Sequence, residues 1–207
     1  MTDQATFWRG DTPLILASGS ATRLHLLEAG RLPVEVIKPA VDERTIEANF
    51  LAIGGPPSGV AAALAEAKVL SVSTHYSGRV VLAADQMLIC EGQPFHKPDD
   101  AAAAERQIAK LAGRKHELTS AFALARDGQI IGRGTSSATL AMRSLTPGFI
   151  KDYVAHAGRA AITSVGGYQL EGLGIHLFEI IEGDHFTILG LPMLNLLATL
   201  RELDLVA

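Results

Sequence analysis

The segment at residues 18–23 has the residue types of an anion-binding turn. It follows an apolar run at residues 13–17 that has the length of a buried strand, and a helical pattern comes after it. Small residues such as Ser18 let backbone N–H groups approach a ligand at a helix N-terminus, and Arg23 would add a bidentate phosphate contact. A plain helix cap explains the same residues, so the segment suits a phosphate without requiring one.

Three further charged residues stand in surroundings that suit a ligand site. Asp85 follows a continuous apolar stretch at residues 80–84, so it is predicted to end a buried strand, where α/β proteins build ligand sites. Lys68 lies on an apolar helix face and must either extend to solvent or meet an anion. Lys97 precedes Pro98, which favours an extended backbone. A structural strand-ending carboxylate, a snorkelling lysine and a solvated loop lysine remain the alternatives.

Several common catalytic and metal-binding patterns are missing from the sequence. The seven histidines show no two-ligand spacing on a helix, and Cys90 is the only cysteine, which disfavours zinc and cysteine-nucleophile chemistry. There is no P-loop, no Gly-x-Gly-x-x-Gly fingerprint and no Gly-x-Ser-x-Gly elbow. Glu43 and Glu171 are uninformative by themselves, because isolated surface carboxylates are common.

The first half of the chain alternates strand and helix patterns. We expect Ser58 to cap the helix that carries Lys68, and the next helix to begin at Asp99 or Asp100. Alternation of this kind is typical of an α/β protein.

The second half predicts antiparallel pairs. An Asp-Gly pair at residues 127–128 predicts a hairpin between two long strands, and Thr146 with Pro147 predicts the start of a helix. We expect a second hairpin from residues 175–181 and 185–189. The predicted fold class is therefore α/β, with a mixed β-sheet and flanking helices.

The composition predicts one folded unit in a reducing compartment. The 207 residues carry 18 basic and 22 acidic side chains, a net charge of −4, so neither disorder nor a nucleic-acid partner is expected. The single cysteine and an N-terminus without a signal-peptide pattern predict a cytoplasmic protein. No membrane contact is expected, since the most apolar window, at residues 188–200, is shorter than the roughly 20 residues of a membrane span. We expect a single domain, 1–207, with lobe junctions near Gly113 and Gly158.

Several short motifs occur in a fixed order along nearly the whole chain. They are Leu16-Ala17-Ser18-Gly19-Ser20 with Arg23, Val41-Asp42-Glu43, the helix bearing Lys68, Ala84-Asp85, Lys97-Pro98, Leu111-Ala112-Gly113 with His116, Glu171-Gly172, Glu182-Gly183-Asp184 and Gly190-Leu191-Pro192. In order and spacing, these motifs resemble the Maf family of nucleoside triphosphate pyrophosphatases. The resemblance implies an elongated, ITPase-like α/β fold with two lobes around one central cleft. It also implies hydrolysis of a nucleoside triphosphate to the monophosphate and pyrophosphate.

The resemblance implies a role for each charged residue. Asp85 is the expected catalytic proton acceptor. The expected substrate-binding residues are Ser18, Arg23, Lys68 and Lys97. Glu43 and Asp85 are the expected ligands of a divalent metal cation, Mg²⁺ or Mn²⁺. A homodimer is expected from the same resemblance.

Three departures from the commonest family pattern bear on the substrate. Thr22 stands where a second cation is usual, Gln86 stands where threonine is usual, and Glu171 stands where the dTTP and UTP branch has an amide. Gln86 and Glu171 resemble the branch that hydrolyses 7-methyl-GTP, although that branch often has tryptophan at the position of Thr22. We expect these three residues to determine specificity and 7-methyl-GTP to be the substrate. The alternatives are a pyrophosphatase of the dTTP and UTP type and a non-catalytic nucleotide-binding regulator of cell division.

Overall fold

The computed structural model describes residues 7–207. The first six residues of the N-terminus, where no signal-peptide pattern was expected, lie outside the described residues. It has the predicted α/β class, with a mixed seven-stranded sheet flanked by helices. The sheet order is β2-β1-β3-β5-β6-β7, with β4 paired to β3. The strands are β1 (Leu14–Leu16), β2 (Val34–Val36), β3 (Val81–Cys90), β4 (Gln93–Phe95), β5 (Lys115–Arg126), β6 (Gln129–Met142) and β7 (Phe178–Glu182).

Eight α-helices are present between Phe7 and Ala207. They are α1 (Ala21–Ala29), α2 (Glu43–Ala52), α3 (Val60–Ser73), α4 (Ala101–Leu111), α5 (Pro147–Ala157), α6 (Arg159–Thr163), α7 (His185–Ile188) and α8 (Met193–Glu202). Short 3₁₀ turns occur at Pro57–Gly59, Val165–Gly167 and Leu173–Leu177. None of the helices in the described residues is both long enough and apolar enough to cross a membrane.

The chain divides into two compact units. The first unit contains the residues up to Asp85 together with residues 120–136 and 190–207, and the second contains residues 86–119 and 137–189. Three of the divisions fall inside β3, β5 and β6, so the expected junctions near Gly113 and Gly158 are wrong. These glycines instead follow helices α4 and α5, where their positive φ angles of 69° and 54° stop the helical path.

The core of the first unit is built on parallel strand pairing. Strand β1 pairs in parallel with β2 and with β3, so that Ile15 lies opposite Glu35 on one side and Val81 on the other. Side chains from α3 cover this sheet, because its apolar residues recur at helical spacing. The buried cluster includes Ile15, Ala17, Ala65, Val69, Val72, Val81, Ala83 and Ala123.

The core of the second unit is formed by α4 and α5 with segments of β3, β5 and β6. Strand β6 pairs with β7 in antiparallel register, with Thr139 opposite Glu182 and Leu140 opposite Ile181. The buried cluster includes Leu88, Ile108, Leu118, Leu140, Ile150, Tyr153, Tyr168 and Leu177.

Local sequence signals predicted several helix boundaries correctly. Asp100 caps α4 by accepting the Ala103 N–H at 2.6 Å, and Thr146 caps α5 by accepting the Phe149 N–H at 3.2 Å. Ser58 does not cap α3, so that prediction is wrong. It lies inside the 3₁₀ turn at Pro57–Gly59, and Gly59 occupies the N-cap position.

The predicted hairpin at residues 127–128 is present, since Asp127 and Gly128 connect β5 to β6 with φ angles of 51° and 73°. The second predicted hairpin is wrong. Its first half begins as a 3₁₀ turn before β7, and its second half is helix α7. Asp184 starts that helix by accepting the Thr187 N–H at 2.8 Å and the Thr187 hydroxyl at 2.9 Å.

Asp85 does not end its strand, contrary to expectation. Strand β3 continues from Val81 to Cys90, because Met87, Leu88 and Cys90 are again buried apolar side chains. The polar residues Asp85 and Gln86 therefore interrupt a continuous buried strand rather than mark its end.

Candidate active site

Lys68 is the centre of a charged cluster in the first unit. Its residue surface is only 7% exposed, on the face of α3 that carries Leu64 and Ala65. The Lys68 Nζ donates to Asp85 Oδ2 in a short contact and lies 2.8 Å from Glu43 Oε1. The sequence left two possibilities for this lysine, and the structure shows the second: it meets two carboxylates instead of extending to solvent.

The two carboxylates reach Lys68 from different elements. Asp85 lies within β3, and its side chain is 14% exposed, whereas Glu43 is the first residue of α2 and its side chain is 56% exposed. Asp42 caps α2 by accepting the Thr45 N–H at 3.2 Å and the Thr45 hydroxyl at 2.8 Å, which lowers the pKa of the Asp42 carboxyl. This cap fixes where α2 starts and therefore where Glu43 is presented.

Arg23 is held in place by backbone carbonyls of the first unit. Its Nη1 donates to Ala84 O at 2.7 Å, and its Nε donates to Gly190 O at 2.8 Å. Nη1 also lies 3.4 Å from the Ser18 hydroxyl, which accepts the Ser20 N–H at 3.2 Å. Two edges of the guanidinium are thus already engaged. The contacts of Nε and Nη1 fix the plane of the guanidinium beside the Asp85 strand.

Burial and charge act on Arg23 in opposite directions. Burial lowers the pKa of its guanidinium, and the negative charges of Asp85 and then Glu43 raise it again. An arginine remains protonated under either influence. The cluster therefore holds two cations, Lys68 and Arg23, against two carboxylates, and it is formally neutral.

The carboxylate pair fits a hard divalent cation. Glu43 and Asp85 already converge on one cationic centre, the Lys68 ammonium, and carboxylate oxygens are the ligands that Mg²⁺ prefers. Mg²⁺ is usually bound through one or two carboxylates together with waters and substrate phosphates. No group of three or more His, Cys, Asp or Glu residues suited to a metal occurs among residues 7–207.

The other predicted site residues are divided between the two units. Thr22 lies half-buried on α1 in the first unit, one residue before Arg23. Lys97, Gln86 and Glu171 belong to the second unit. Lys97 is exposed and precedes the buried Pro98, while Glu171 is exposed in a turn that follows the buried Leu170. The substrate-binding role of Lys97 and the specificity roles of Thr22, Gln86 and Glu171 remain predictions.

Gln86 has a structural contact that sequence reasoning missed. Its Nε2 donates to the carbonyls of Thr187 at 3.1 Å and Ile188 at 2.9 Å, so both amide N–H groups are engaged within the second unit. Any effect of Gln86 on the base must therefore act through another group or through its carbonyl oxygen. The Gly190 carbonyl that holds Arg23 was also missed. The Gly190-Leu191-Pro192 motif marked that segment without indicating a contact.

A buried histidine and tyrosine pair lies in the core of the second unit. His116 Nε2 and Tyr168 Oη are 2.7 Å apart, and both residues are less than 5% exposed. Burial lowers the pKa of His116 to about 4 and raises the pKa of Tyr168 well above its ordinary value. Burial also raises the pKa of Tyr153, whose hydroxyl donates to Gly167 O, to about 12. All three side chains are therefore uncharged near neutral pH.

The sequence of the chain matches a known protein family over most of its described length. A family model described as Maf-like protein matches residues 13–203, and the chain belongs to this family.

Curated relatives match over nearly their whole length. A nucleoside triphosphate pyrophosphatase of Rhodopseudomonas palustris (strain BisB18) is 50% identical over 98% of this chain and 99% of its own. A 7-methyl-GTP pyrophosphatase of Rhizobium meliloti (strain 1021) is 47% identical over 92% of this chain and 96% of its own. One of the same name from Mesorhizobium japonicum is 49% identical with the same coverage.

Proposed function

We propose that the chain hydrolyses 7-methyl-GTP to 7-methyl-GMP and pyrophosphate in the cytoplasm. The broader activity, that of a nucleoside triphosphate pyrophosphatase acting on an acid anhydride, is the one for which its relatives are named. The observation that carries the proposal is the convergence of Asp85 and Glu43 on the buried Lys68. Such a cluster supplies both the cations and the carboxylates that hydrolysis of a triphosphate needs.

The residues of the cluster have complementary tasks. Water adds across the anhydride bond between the α and β phosphates, and pyrophosphate leaves with the electron pair of the bond that breaks. Asp85 accepts the proton of the attacking water and later releases it to solvent. Lys68 and Arg23 bind phosphate oxygens and offset their negative charge, and Lys97 and the Ser18 hydroxyl add further phosphate contacts.

Glu43 and Asp85 would hold the divalent cation, Mg²⁺ or Mn²⁺. When bound, such an ion offsets phosphate charge and lowers the pKa of a bound water. Because Lys68 neutralises the same two carboxylates, the pair is kept close together without a second positive ion. Their mutual repulsion is thereby reduced.

Glu171 is the residue that we propose reads the base. A guanine edge presents an N1–H and an exocyclic amine, and a carboxylate can accept both, whereas uracil and thymine present one N–H between two carbonyls. The 7-methylated ring also carries a positive charge that a carboxylate attracts. Glu171 is exposed in the protein without substrate, so we expect this attraction to contribute at most about 1 kcal/mol, the upper end of the range for exposed ion pairs. Thr22 cannot stack on the base, which also limits the preference.

A nucleotide panel tests the proposal. Pyrophosphate release is measured with Mg²⁺ or Mn²⁺ for 7-methyl-GTP, GTP, UTP and dTTP, and we expect kcat/KM to fall in that order, with UTP and dTTP together at the end. A preference for UTP or dTTP would favour the pyrimidine branch and contradict the assignment of the base. Tight binding of the panel without turnover would favour the non-catalytic regulator instead.

We further propose that the chain forms a homodimer. The support is an exposed edge: β7 is the last strand in the sheet order, and its Ile180 and Ile181 are 42% and 38% exposed. Apolar side chains on an unpaired edge strand favour association with another chain. Sedimentation measures the state directly, and a monomer at all concentrations would contradict the proposal.

A further inference from the structure

The His116 and Tyr168 pair has no part in the chemistry proposed above, yet it is tightly built. The rings of His116 and Tyr168 both pack on Phe178, the first residue of β7, with centroids 5.9 and 4.9 Å away. The Tyr168 and Phe178 rings meet edge to face, an arrangement that stabilises aromatic pairs. With the 2.7 Å hydrogen bond between Nε2 and Oη, these contacts hold the Tyr168 side chain in one position.

Tyr168 is the point at which a tight turn leaves the core. In this turn, at residues 168–174, the Gln169 carbonyl accepts the N–H of Gly172 at 3.2 Å and that of Gly174 at 3.1 Å. Gly174 is buried, and a Cβ there would collide with the Gln169 carbonyl, so the turn needs glycine at this position. Glu171 is exposed and lies within the turn, between Gln169 and Gly172. Its direction therefore depends on where the turn is anchored.

Packing does not hold the turn on all sides. A cavity of about 110 Å³ lies between the turn and the helices α5 and α6. Tyr153 and Ala160 line it from the helices, and Gln169, Gly172 and Gly174 line it from the turn. Atoms that border an open volume lack contact partners on that side, so they can shift at little cost. The buried anchors of the turn must then supply the positional restraint that packing does not.

We propose that His116 and Tyr168 are positioning residues for the carboxylate of Glu171, and that their buried hydrogen bond sets the base selectivity of the enzyme. The inference rests on the proposed function, because it takes Glu171 as the group that reads the base. Without the bond, either partner would be left as a buried polar group without its hydrogen bond, which favours rearrangement. Tyr168 would then shift, and the turn would move toward the cavity with it.

Removal of a single oxygen tests this role. Tyr168→Phe keeps the ring and its packing on Phe178 but loses the bond to His116. One hydrogen bond corresponds to about a three- to tenfold change in an equilibrium constant, so we expect KM for 7-methyl-GTP to rise by about that factor. We expect kcat for 7-methyl-GTP, and both kcat and KM for UTP, to stay within about twofold of the wild-type values. The reason is that the Lys68 cluster is held by contacts inside the first unit.

Two further variants separate positioning from general stability. His116→Gln places an amide nitrogen near the original Nε2, so it should keep most of the selectivity, whereas His116→Leu should lose it as Tyr168→Phe does. The matched control is Ile150→Val, which removes one buried methyl group from the same core outside the turn. It should lower stability without changing the ratio of kcat/KM between 7-methyl-GTP and UTP.

Hydrogen exchange provides a readout that needs no substrate. In Tyr168→Phe we expect the amides of Gly172 and Gly174 to exchange about three- to tenfold faster, with the β6–β7 amides unchanged. Unchanged exchange at both glycines would overturn the positioning role. If exchange rises but the wild-type protein shows no preference for 7-methyl-GTP, the proposed base assignment fails and the inference about selectivity fails with it. If the wild-type protein has the preference and Tyr168→Phe keeps it, only this inference is overturned.

Discussion

Acidification below pH 6.5 should destabilise the protein through one buried side chain, His116. Burial lowers the pKa of this imidazole from 6.5 to about 4 in the folded protein. The residue is 3% exposed, and its Nδ1 has no hydrogen-bond partner within residues 7–207. A protonated ring would therefore bury a positive charge and leave one N–H without an acceptor.

The sign and size of the effect follow from this shift. Between pH 6.5 and about 4 the unfolded chain binds a proton at His116 that the folded protein does not, so the free energy of unfolding decreases as the pH falls. At 1.36 kcal/mol per pKa unit, the loss amounts to about 3 kcal/mol. It is complete near pH 4 and absent above pH 7.

This loss of unfolding free energy is measured by urea unfolding of the wild-type protein and of His116→Gln between about pH 7 and pH 4. Carboxyls such as Asp42 and Asp127, whose pKa values are lowered by hydrogen bonds, titrate in acid in both proteins, so the difference between the two proteins isolates His116. We expect the wild type to lose about 3 kcal/mol relative to the variant. Parallel curves, or an imidazole that titrates near pH 6.5 by NMR, would refute the reasoning.

Three further predictions concern the charged residues. Asp85→Asn should lower kcat by about a hundredfold or more with the fold preserved, as measured by pyrophosphate release and circular dichroism, whereas Asp99→Asn, a change at an exposed aspartate, should not. Lys68→Ala should lower both kcat/KM and the melting temperature, because it leaves two carboxylates without their cation. Lys97→Ala should lower kcat/KM alone. Wild-type kinetics in both variants would exclude the cationic site. Glu171→Gln should reduce the preference for 7-methyl-GTP over UTP, and an unchanged ranking of kcat/KM would contradict its role.

The sequence was sufficient for features that depend on neighbouring residues. The caps at Asp100 and Thr146 are contacts between residues three apart, so the residue types and their spacing predict them. The same holds for the turn at residues 127–128, where glycine tolerates a positive φ. Resemblance over nearly the whole chain also identified the family, which the matching family model confirms.

Local patterns failed where tertiary packing decided the outcome. The polar pair Asp85 and Gln86 resembles a strand end, yet β3 continues because the next residues are buried again. The segment at residues 185–189 has a composition that suits a strand, yet Asp184 caps a helix there and Gln86 binds its carbonyls. The choice between these structures depends on partners that are distant in the sequence.

The sequence by itself determined which charged residues the site could use, and it left open what each would touch. Lys68 and Asp85 are 17 residues apart, and Arg23 reaches Gly190 across 167 residues. Only the path of the chain brings such atoms within hydrogen-bond distance, since the energy of these contacts depends on separation in space and on burial. Tertiary structure therefore decided that Lys68 binds two carboxylates, and that carbonyls of the first unit hold Arg23.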